Sequence, residues 1–249
     1  MQGSSDEIAE RLFHGAERIA SVISEVIFPH QLYCICCGNI IDSTRSYSLC
    51  DHCMEHIRWN VDEPRNIDGM RVMRCADYGI YERSIIFAFK YDGHKYIARD
   101  IARIMADRLR IEGFKSSDKN MLIVPVPLHE NKCLARGFNQ SKLIGKYLAK
   151  EMDLKLSDVL LRVHETKALR GLGAAERAET IAGSMELIKD SIDLVQDKDI
   201  MLVDDFYTTG STARECRRAL EKGKPKSVSL IAFAGREWRE AIKSSEEVI

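Results

Sequence analysis

The run "IMLVDDFYTTGSTARECRRAL", Ile200 to Leu220, limits the folds open to this chain more than any other stretch. An apolar segment ends in two adjacent carboxylates, Asp204 and Asp205, followed by a small hydroxyl-rich loop and a helix-forming segment. A strand, a tight loop and a helix in that order put the two acids at a strand's carboxyl end, where open parallel sheets bind ligands. Backbone N–H groups and hydroxyls from Thr208, Thr209, Gly210, Ser211 and Thr212 can enclose one phosphate, helped by the helix N-terminus. Gly210 permits the close backbone approach that a side chain would block. Carboxylates do nothing for a phosphate, but each can accept hydrogen bonds from neighbouring hydroxyls. The ligand that fits is a ribose 5-phosphate with a further anionic group. The acids could also help hold a magnesium ion bridging hydroxyls and a second phosphate.

The rest of the chain supplies a setting for that loop. "YIARDIARIMADRLRI" has helical period, "MLIVPVPLH" reads as a buried strand ending in prolines, and "GFNQSKLIGKYLAKEM" is a second helix. "DIMLVDD" and "SVSLIAFAG" are further strands, with "TARECRRALEKG" between them as a helix capped by Gly223. "SIIFAFKYDGHK" holds a short apolar run that breaks at Asp92-Gly93, with Lys90 at its end. This alternation predicts an α/β fold, a parallel sheet flanked by helices. Residues 162–184 are basic, contain glycine and are long for a plain connection, which suggests a functional loop.

Upstream, Cys34-x-x-Cys37 and Cys50-x-x-Cys53 form two pairs about a dozen residues apart. A two-residue gap lets both thiolates of a pair reach one ion, and the intervening loop folds back to complete a tetrahedron. The expectation is a small N-terminal module with structural Zn2+ on Cys34, Cys37, Cys50 and Cys53. Cys36 could compete with its neighbours, and His52 or His56 could replace one thiolate. Cys75, Cys133 and Cys216 are isolated and read as small buried hydrophobes. Residues 6–27 carry apolar side chains at three- and four-residue steps, an amphipathic helix that Phe28-Pro29 ends. "NVDEPRNIDG" at 60–69 looks like a linker. The expected division is an N-terminal helix at 1–30, a zinc module at 31–60 and the α/β domain at 71–240.

Composition adds exclusions. The 249 residues carry 37 basic and 38 acidic side chains, so bulk charge gives no push toward nucleic acid or membrane. No apolar run approaches the roughly 18 residues of a membrane span. Asp6, Glu7, Glu10, Arg11, Glu17 and Arg18 break up what a secretory signal would need. A cytoplasmic location and no membrane insertion are expected.

Aliphatics, two acids, two residues and Thr-Thr-Gly-x-Thr together resemble the phosphoribosyl-pyrophosphate (PRPP) motif of the type I phosphoribosyltransferases. "FPHQLYCICCG", "LCDHC", "FKYDG", "VPVPLHENKCLARGFNQSKLIG" and "ETKALRGLGAAERAETIAGSM" narrow the resemblance to the ComF/GntX family, over about residues 26 to 236. The resemblance implies a type I phosphoribosyltransferase-like sheet. It places the ribose hydroxyls on Asp204 and Asp205 and the 5′-phosphate on the loop Phe206, Tyr207, Thr208, Thr209, Gly210, Ser211 and Thr212. Lys132, Arg136 and the backbone near Gly137 would meet pyrophosphate, with Asn139, Gln140 and Lys90 as further contacts. Lys167 and Arg177 would close over the ligand. Leu169 and Thr180 stand where the family usually has glutamine and asparagine.

Implied, then, is a phosphoribosyl transfer from PRPP with Mg2+-assisted pyrophosphate release, in which Asp204, Asp205, Arg136, Lys167 and Arg177 take part. The resemblance also implies a role in DNA uptake during natural transformation. The rival is a non-catalytic PRPP-responsive protein that binds single-stranded DNA or competence partner proteins, with the basic helix around Arg214 to Lys226 as its surface. A dinucleotide-binding Rossmann enzyme is disfavoured, because no G-x-G-x-x-G follows a strand. The acceptor and the oligomeric state are not legible.

Overall fold

A computed structural model describes residues 32–91, 93–164 and 181–236. The amphipathic stretch 6–27 lies outside them. From the first described residues the chain forms a cysteine knuckle and a short helix α1 (Asp51–His56), then β1 (Arg65–Ile67) and β2 (Met70–Asp77). Helices α2 (Ile80–Tyr91) and α3 (Ile97–Ile111) lead to β3 (Met121–Pro125), α4 (Glu130–Arg136) and α5 (Gln140–Met152). Short strands β4 (Lys155–Leu156), β5 (Leu160–Arg162) and β6 (Met185–Leu187) follow, with a helical turn α6 (Ile192–Val195). The chain ends its described part with β7 (Asp199–Tyr207), α7 (Ser211–Glu221) and β8 (Ser227–Gly235).

The main sheet has the order β1-β2-β8-β7-β3-β4. All neighbours are parallel except β1, which runs antiparallel to β2. The inner strands β3, β7 and β8 are apolar on both faces, as a parallel sheet covered by helices requires. Met201, Val203, Ile231 and Phe233 point to one face, where they join Phe89 of α2, Ile101 and Met105 of α3 and Ile144 and Leu148 of α5. Ile200, Leu202, Leu230 and Ala232 point to the other, against Ala213, Cys216 and Leu220 of α7 and Leu160 and Met185 of the β5–β6 ribbon. Each such side chain contributes roughly 1.5–3 kcal/mol by leaving water. In α3, Ile97, Ile101, Met105 and Leu109 recur every four residues and are fully buried, which fixes the face it lays on the sheet.

Two stretches differ from the reading of the sequence. "SIIFAFKY" is the body of helix α2, with Ile85, Ile86 and Phe89 buried and Phe87 and Tyr91 exposed. One helical face, not alternate residues, is covered. The expected linker at 60–69 is instead tied into the sheet. Its Arg65–Ile67 pairs with β2, and Arg108 donates to the Asn60 carbonyl at 2.7 Å and to the Asp62 carbonyl. The helix ahead of Gly223 is capped by Lys222, one residue earlier than expected.

The cysteine knuckle shares the core of the sheet's first face. Ile35, Ile41, Leu49 and Ile57 are buried in it. Two hydrogen bonds fasten the knuckle to α3: the Ser48 N–H donates to Asp100 at 2.8 Å and the Tyr47 hydroxyl to Asp107 at 2.6 Å. Burial raises the Asp100 carboxyl above its usual range, against the opposing pull of the Ser48 bonds. Among the described residues, no helix is long and apolar enough to cross a membrane.

Gly235 ends β8 where backbone and side chains crowd. A Cβ there would lie 2.6 Å from Arg74 Cδ and 2.8 Å from the Tyr207 carbonyl oxygen. Arg74 is 1% exposed and ion-paired with Asp77 at 3.0 Å, so it has no room to retreat. Gly235→Ala should therefore destabilise the fold by about 2 kcal/mol. A lowered urea midpoint with an unchanged slope is the expected readout, and an unmoved midpoint would show that this corner is looser than described.

Candidate functional site

The sulfur atoms of Cys34, Cys37, Cys50 and Cys53 all lie within 4.8 Å of one another. A tetrahedron with metal–sulfur bonds of about 2.3 Å has edges of roughly 3.8 Å. The Cys37 to Cys50 sulfur separation of 3.7 Å already matches such an edge. Two local structures bring the pairs together. Gly38, with φ of +75°, reverses the chain after Cys37, and Gly38 N–H donates to the Cys34 carbonyl at 2.9 Å. Cys50 stands at the N-cap of α1, its sulfur accepting from Cys53 N–H at 3.5 Å. The donor set fits a tetrahedral thiolate metal such as zinc, closed to substrate.

The competing donors are placed elsewhere. Cys36 turns its thiol to the Tyr81 carbonyl at 3.6 Å, and burial pushes that thiol up to about 11. His52 and His56 stack on one another with ring centroids 4.1 Å apart, and His52 meets the Tyr81 hydroxyl at 3.1 Å. Cys75 and Cys216 are buried as expected, whereas Cys133 on α4 is only half-buried. The reason is that α4 buries none of its residues.

Asp204 and Asp205 stand near the carboxyl end of β7, between β3 and β8. Asp205 is buried, and Lys90, from the last turn of α2, reaches its Oδ2 at 2.5 Å. Burial alone would pull the Lys90 ammonium down, but the charges of Asp205 and Asp204 outweigh it, and Lys90 sits above its ordinary value. Asp204 Oδ1 accepts two hydrogen bonds, from the Ser141 hydroxyl and from Asp205 N–H, each at 2.9 Å. Burial, and then the neighbouring Asp205 charge, push the Asp204 carboxyl up to about 7, while Lys90 and the Ser141 bond act against the rise.

Beyond the acids, Thr208 and Thr209 lead to Gly210, which adopts φ of +76° immediately before α7. A Cβ on Gly210 would lie 2.4 Å from the Tyr207 hydroxyl oxygen, so no other residue fits without displacing that ring. Thr209 and Ser211 hydroxyls are 2.9 Å apart. Tyr207 is buried, and Phe206 packs on Tyr78 with ring centroids 4.7 Å apart. Both rings support the loop from behind.

Between β3 and α5, helix α4 carries Lys132 and Arg136 and ends at Gly137. Arg136 donates to the Gln140 side chain at 2.5 Å, and its guanidinium lies 5.5 Å from the Tyr91 ring centre. Asn139 is the N-cap of α5, accepting from Lys142 N–H at 3.3 Å and donating to the Val126 carbonyl at 3.2 Å. Lys90 is thus brought to the acids directly and Arg136 to their neighbourhood, while Asn139 and Gln140 are engaged in shaping the turn. Lys167 and Arg177, with Thr166, Leu169 and Thr180, lie outside the described residues. What the sequence reading missed is Ser141 against Asp204, and Arg162 at the end of β5. Burial lowers the Arg162 pKa, with Cys216 and Asp204 close enough for their charges to oppose it. The basic helix α7 has its charges offset locally: Arg217 pairs with Glu221 at 2.9 Å, Arg218 with Glu215 at 2.9 Å, and Arg214 with Asp68 at 3.6 Å.

No family model matches the chain. Among proteins of similar sequence, Competence protein F of Haemophilus influenzae is 27% identical over 195 residues, 75% of this chain and 84% of that protein. The DNA utilization protein YhgH of Escherichia coli K12 is 26% identical over 217 residues, 85% and 88% of the two chains. Competence protein ComFC of Bacillus subtilis is 35% identical over 118 residues, 47% of this chain and 45% of that one. Among solved structures, a hypoxanthine phosphoribosyltransferase from Staphylococcus aureus overlaps with a TM-score of 0.33 at 17% identity, over 57% of this chain and 64% of the other. TT1426 from Thermus thermophilus overlaps with a TM-score of 0.35 at 14% identity, over 59% and 78%. These overlaps are loose. The sheet order and the placement of acids, loop and helix define an α/β protein with a mostly parallel sheet flanked by helices and a four-cysteine module at its amino-terminal side. In sequence, the chain is similar to proteins named for competence and for DNA utilization.

The cysteine geometry sets a clear expectation. Purified protein should carry about one zinc per chain by elemental analysis, and Cys53→Ser should carry almost none and melt at a lower temperature. Cys36→Ser should keep its metal in full. Loss of zinc from the Cys36 variant would mean that the fifth thiol belongs to the ligand set.

Proposed function

We propose that this chain binds PRPP, or a related ribose 5-phosphate carrying a second anionic group, at the carboxyl end of β7. The observation that supports it best is the adjacency of two carboxylates and a Gly210-led loop at one strand-to-helix junction. The acids would accept hydrogen bonds from the ribose hydroxyls, and the loop with the α7 N-terminus would take the 5′-phosphate. Lys90 would hold the Asp205 side chain in place through their ion pair while the ligand enters.

The reaction we infer is phosphoribosyl transfer. The bond from the anomeric carbon to pyrophosphate breaks, a nitrogen nucleophile bonds to that carbon, and the nitrogen's proton passes to solvent. Little covalent work falls to the protein, whose residues orient the sugar and balance the leaving charge. Asp204 and Asp205 would hold the ribose beside the developing positive charge, and Lys132 and Arg136 would face the pyrophosphate. Lys167 and Arg177 are assigned to a segment that closes over the ligand. Among the described residues, no third ligating carboxylate, histidine or cysteine side chain joins the two acids. The magnesium ion would come on the ligand's own phosphates, where it would offset their charge. The relatives' names, competence and DNA utilization, support a role for this activity in DNA uptake. The division into an N-terminal helix, a zinc module and a catalytic domain is retained, with the module acting as a brace.

A second reading, a PRPP-responsive protein that binds single-stranded DNA, is favoured by one arrangement. Phe87 and Tyr91 are both exposed, with ring centroids 4.7 Å apart, and Arg136 lies over Tyr91. Exposed rings beside a cation suit unpaired bases. The helix α7, with its arginines paired, suits them less.

Calorimetric titration with PRPP and magnesium should give saturable binding, weakened about a hundredfold in Asp204→Ala/Asp205→Ala. Because Asp204 takes up a proton as the pH falls through about 7, affinity should decline on the acid side of that value and level off on the alkaline side. Flat titrations for the wild-type chain would end this reading. For the second, Tyr91→Ala should weaken oligo-dT binding about tenfold at fixed salt, with the salt slope unchanged. The same affinity in both proteins would remove the ring pair from consideration.

A further inference from the structure

We propose that Ser141 is a positioning residue for the acid pair, its hydroxyl pinning one oxygen of Asp204 so that the other faces the ligand's diol. The proposal rests on the sugar-phosphate reading above and deepens it.

Ser141 lies in the first turn of α5 and is 5% exposed. Its hydroxyl has a single proton to donate, and it gives it to Asp204 Oδ1 at 2.9 Å. The same oxygen also accepts Asp205 N–H at 2.9 Å. A carboxylate oxygen offers about two lone-pair directions, so Oδ1 is fully used. The protein thus ties Oδ1 in from two elements, and in this proposal Oδ2 is the oxygen that meets the guest.

The two ties differ in what they control. The bond from Asp205 N–H comes from the next residue of the same strand and moves with it. Ser141 comes from a different element, 63 positions away in sequence, and fixes the carboxylate plane relative to the sheet edge. Its own setting is rigid. Asn139 caps the same helix, and Gln140, one residue before, is held by Arg136 at 2.5 Å. Without the serine hydroxyl, the Asp204 side chain keeps one bond and gains rotational freedom about its Cβ–Cγ axis. Ordering it again when the ligand arrives would weaken binding.

The test uses the full chain and two ligands. One is ribose 5-phosphate. The other is 2,3-dideoxyribose 5-phosphate, which keeps the phosphate and lacks the diol. Wild-type protein should favour the first. Ser141→Ala should lose about tenfold in affinity for ribose 5-phosphate and almost nothing for the dideoxy ligand. Ser141→Thr, which keeps the hydroxyl, should recover most of the loss. An equal loss for both ligands would assign Ser141 a structural role only and overturn the proposal, as would full retention of diol preference in Ser141→Ala. Wild-type protein that does not distinguish the two ligands would instead overturn the diol reading, and the proposal with it.

Discussion

Two carboxylates next to each other at the end of an apolar strand repel, and burial makes the repulsion stronger. The organisation of the described chain follows from how this conflict is met. Lys90 answers Asp205 from the end of α2, and Ser141 answers Asp204 from the start of α5. Neither partner is near in sequence, so both helices must be docked on one face of the sheet before the acids are tolerable. That docking is the work of the apolar face containing Met201, Val203, Phe89 and Ile144. Two carboxylates held out of water need such a framework, since free carboxylates would prefer water.

The four-cysteine module belongs to the same framework. It shares its buried side chains with the sheet and is bonded to α3 through Ser48 and Tyr47. It also touches α2: Cys36 meets the Tyr81 carbonyl, and the Ser84 hydroxyl donates to the Cys36 carbonyl at 2.9 Å. The four thiols are gathered where the module meets α2 and α3. Its contribution is to hold the amino-terminal part of the chain against the helix that delivers Lys90.

Much of this was legible in the residue order. The strand before Asp204, the cysteine pairs and helices α3, α5 and α7 announce themselves through local periodicity and spacing. Helix α2 did not, because five consecutive apolar residues, Ile85 to Phe89, read equally well as a short buried strand. The stretch 60–69 looked like a linker because its composition is polar, yet its backbone is bonded to β2 and Arg108. Ser141 and Arg162 carry no local signal at all. Their significance comes from which element the fold lays beside Asp204, and a single sequence does not encode that proximity in any short pattern.

The edges of the sheet carry one more implication. Among the described residues, it ends on one side in β1, three residues that run against the direction of the rest, and on the other in β4, only two residues long. A neighbouring molecule seeking to add a strand would find almost no ladder of open amides to join. Fibril-like growth from these borders is thereby discouraged, and the chain can keep a long apolar parallel sheet without sticking to its own copies through it.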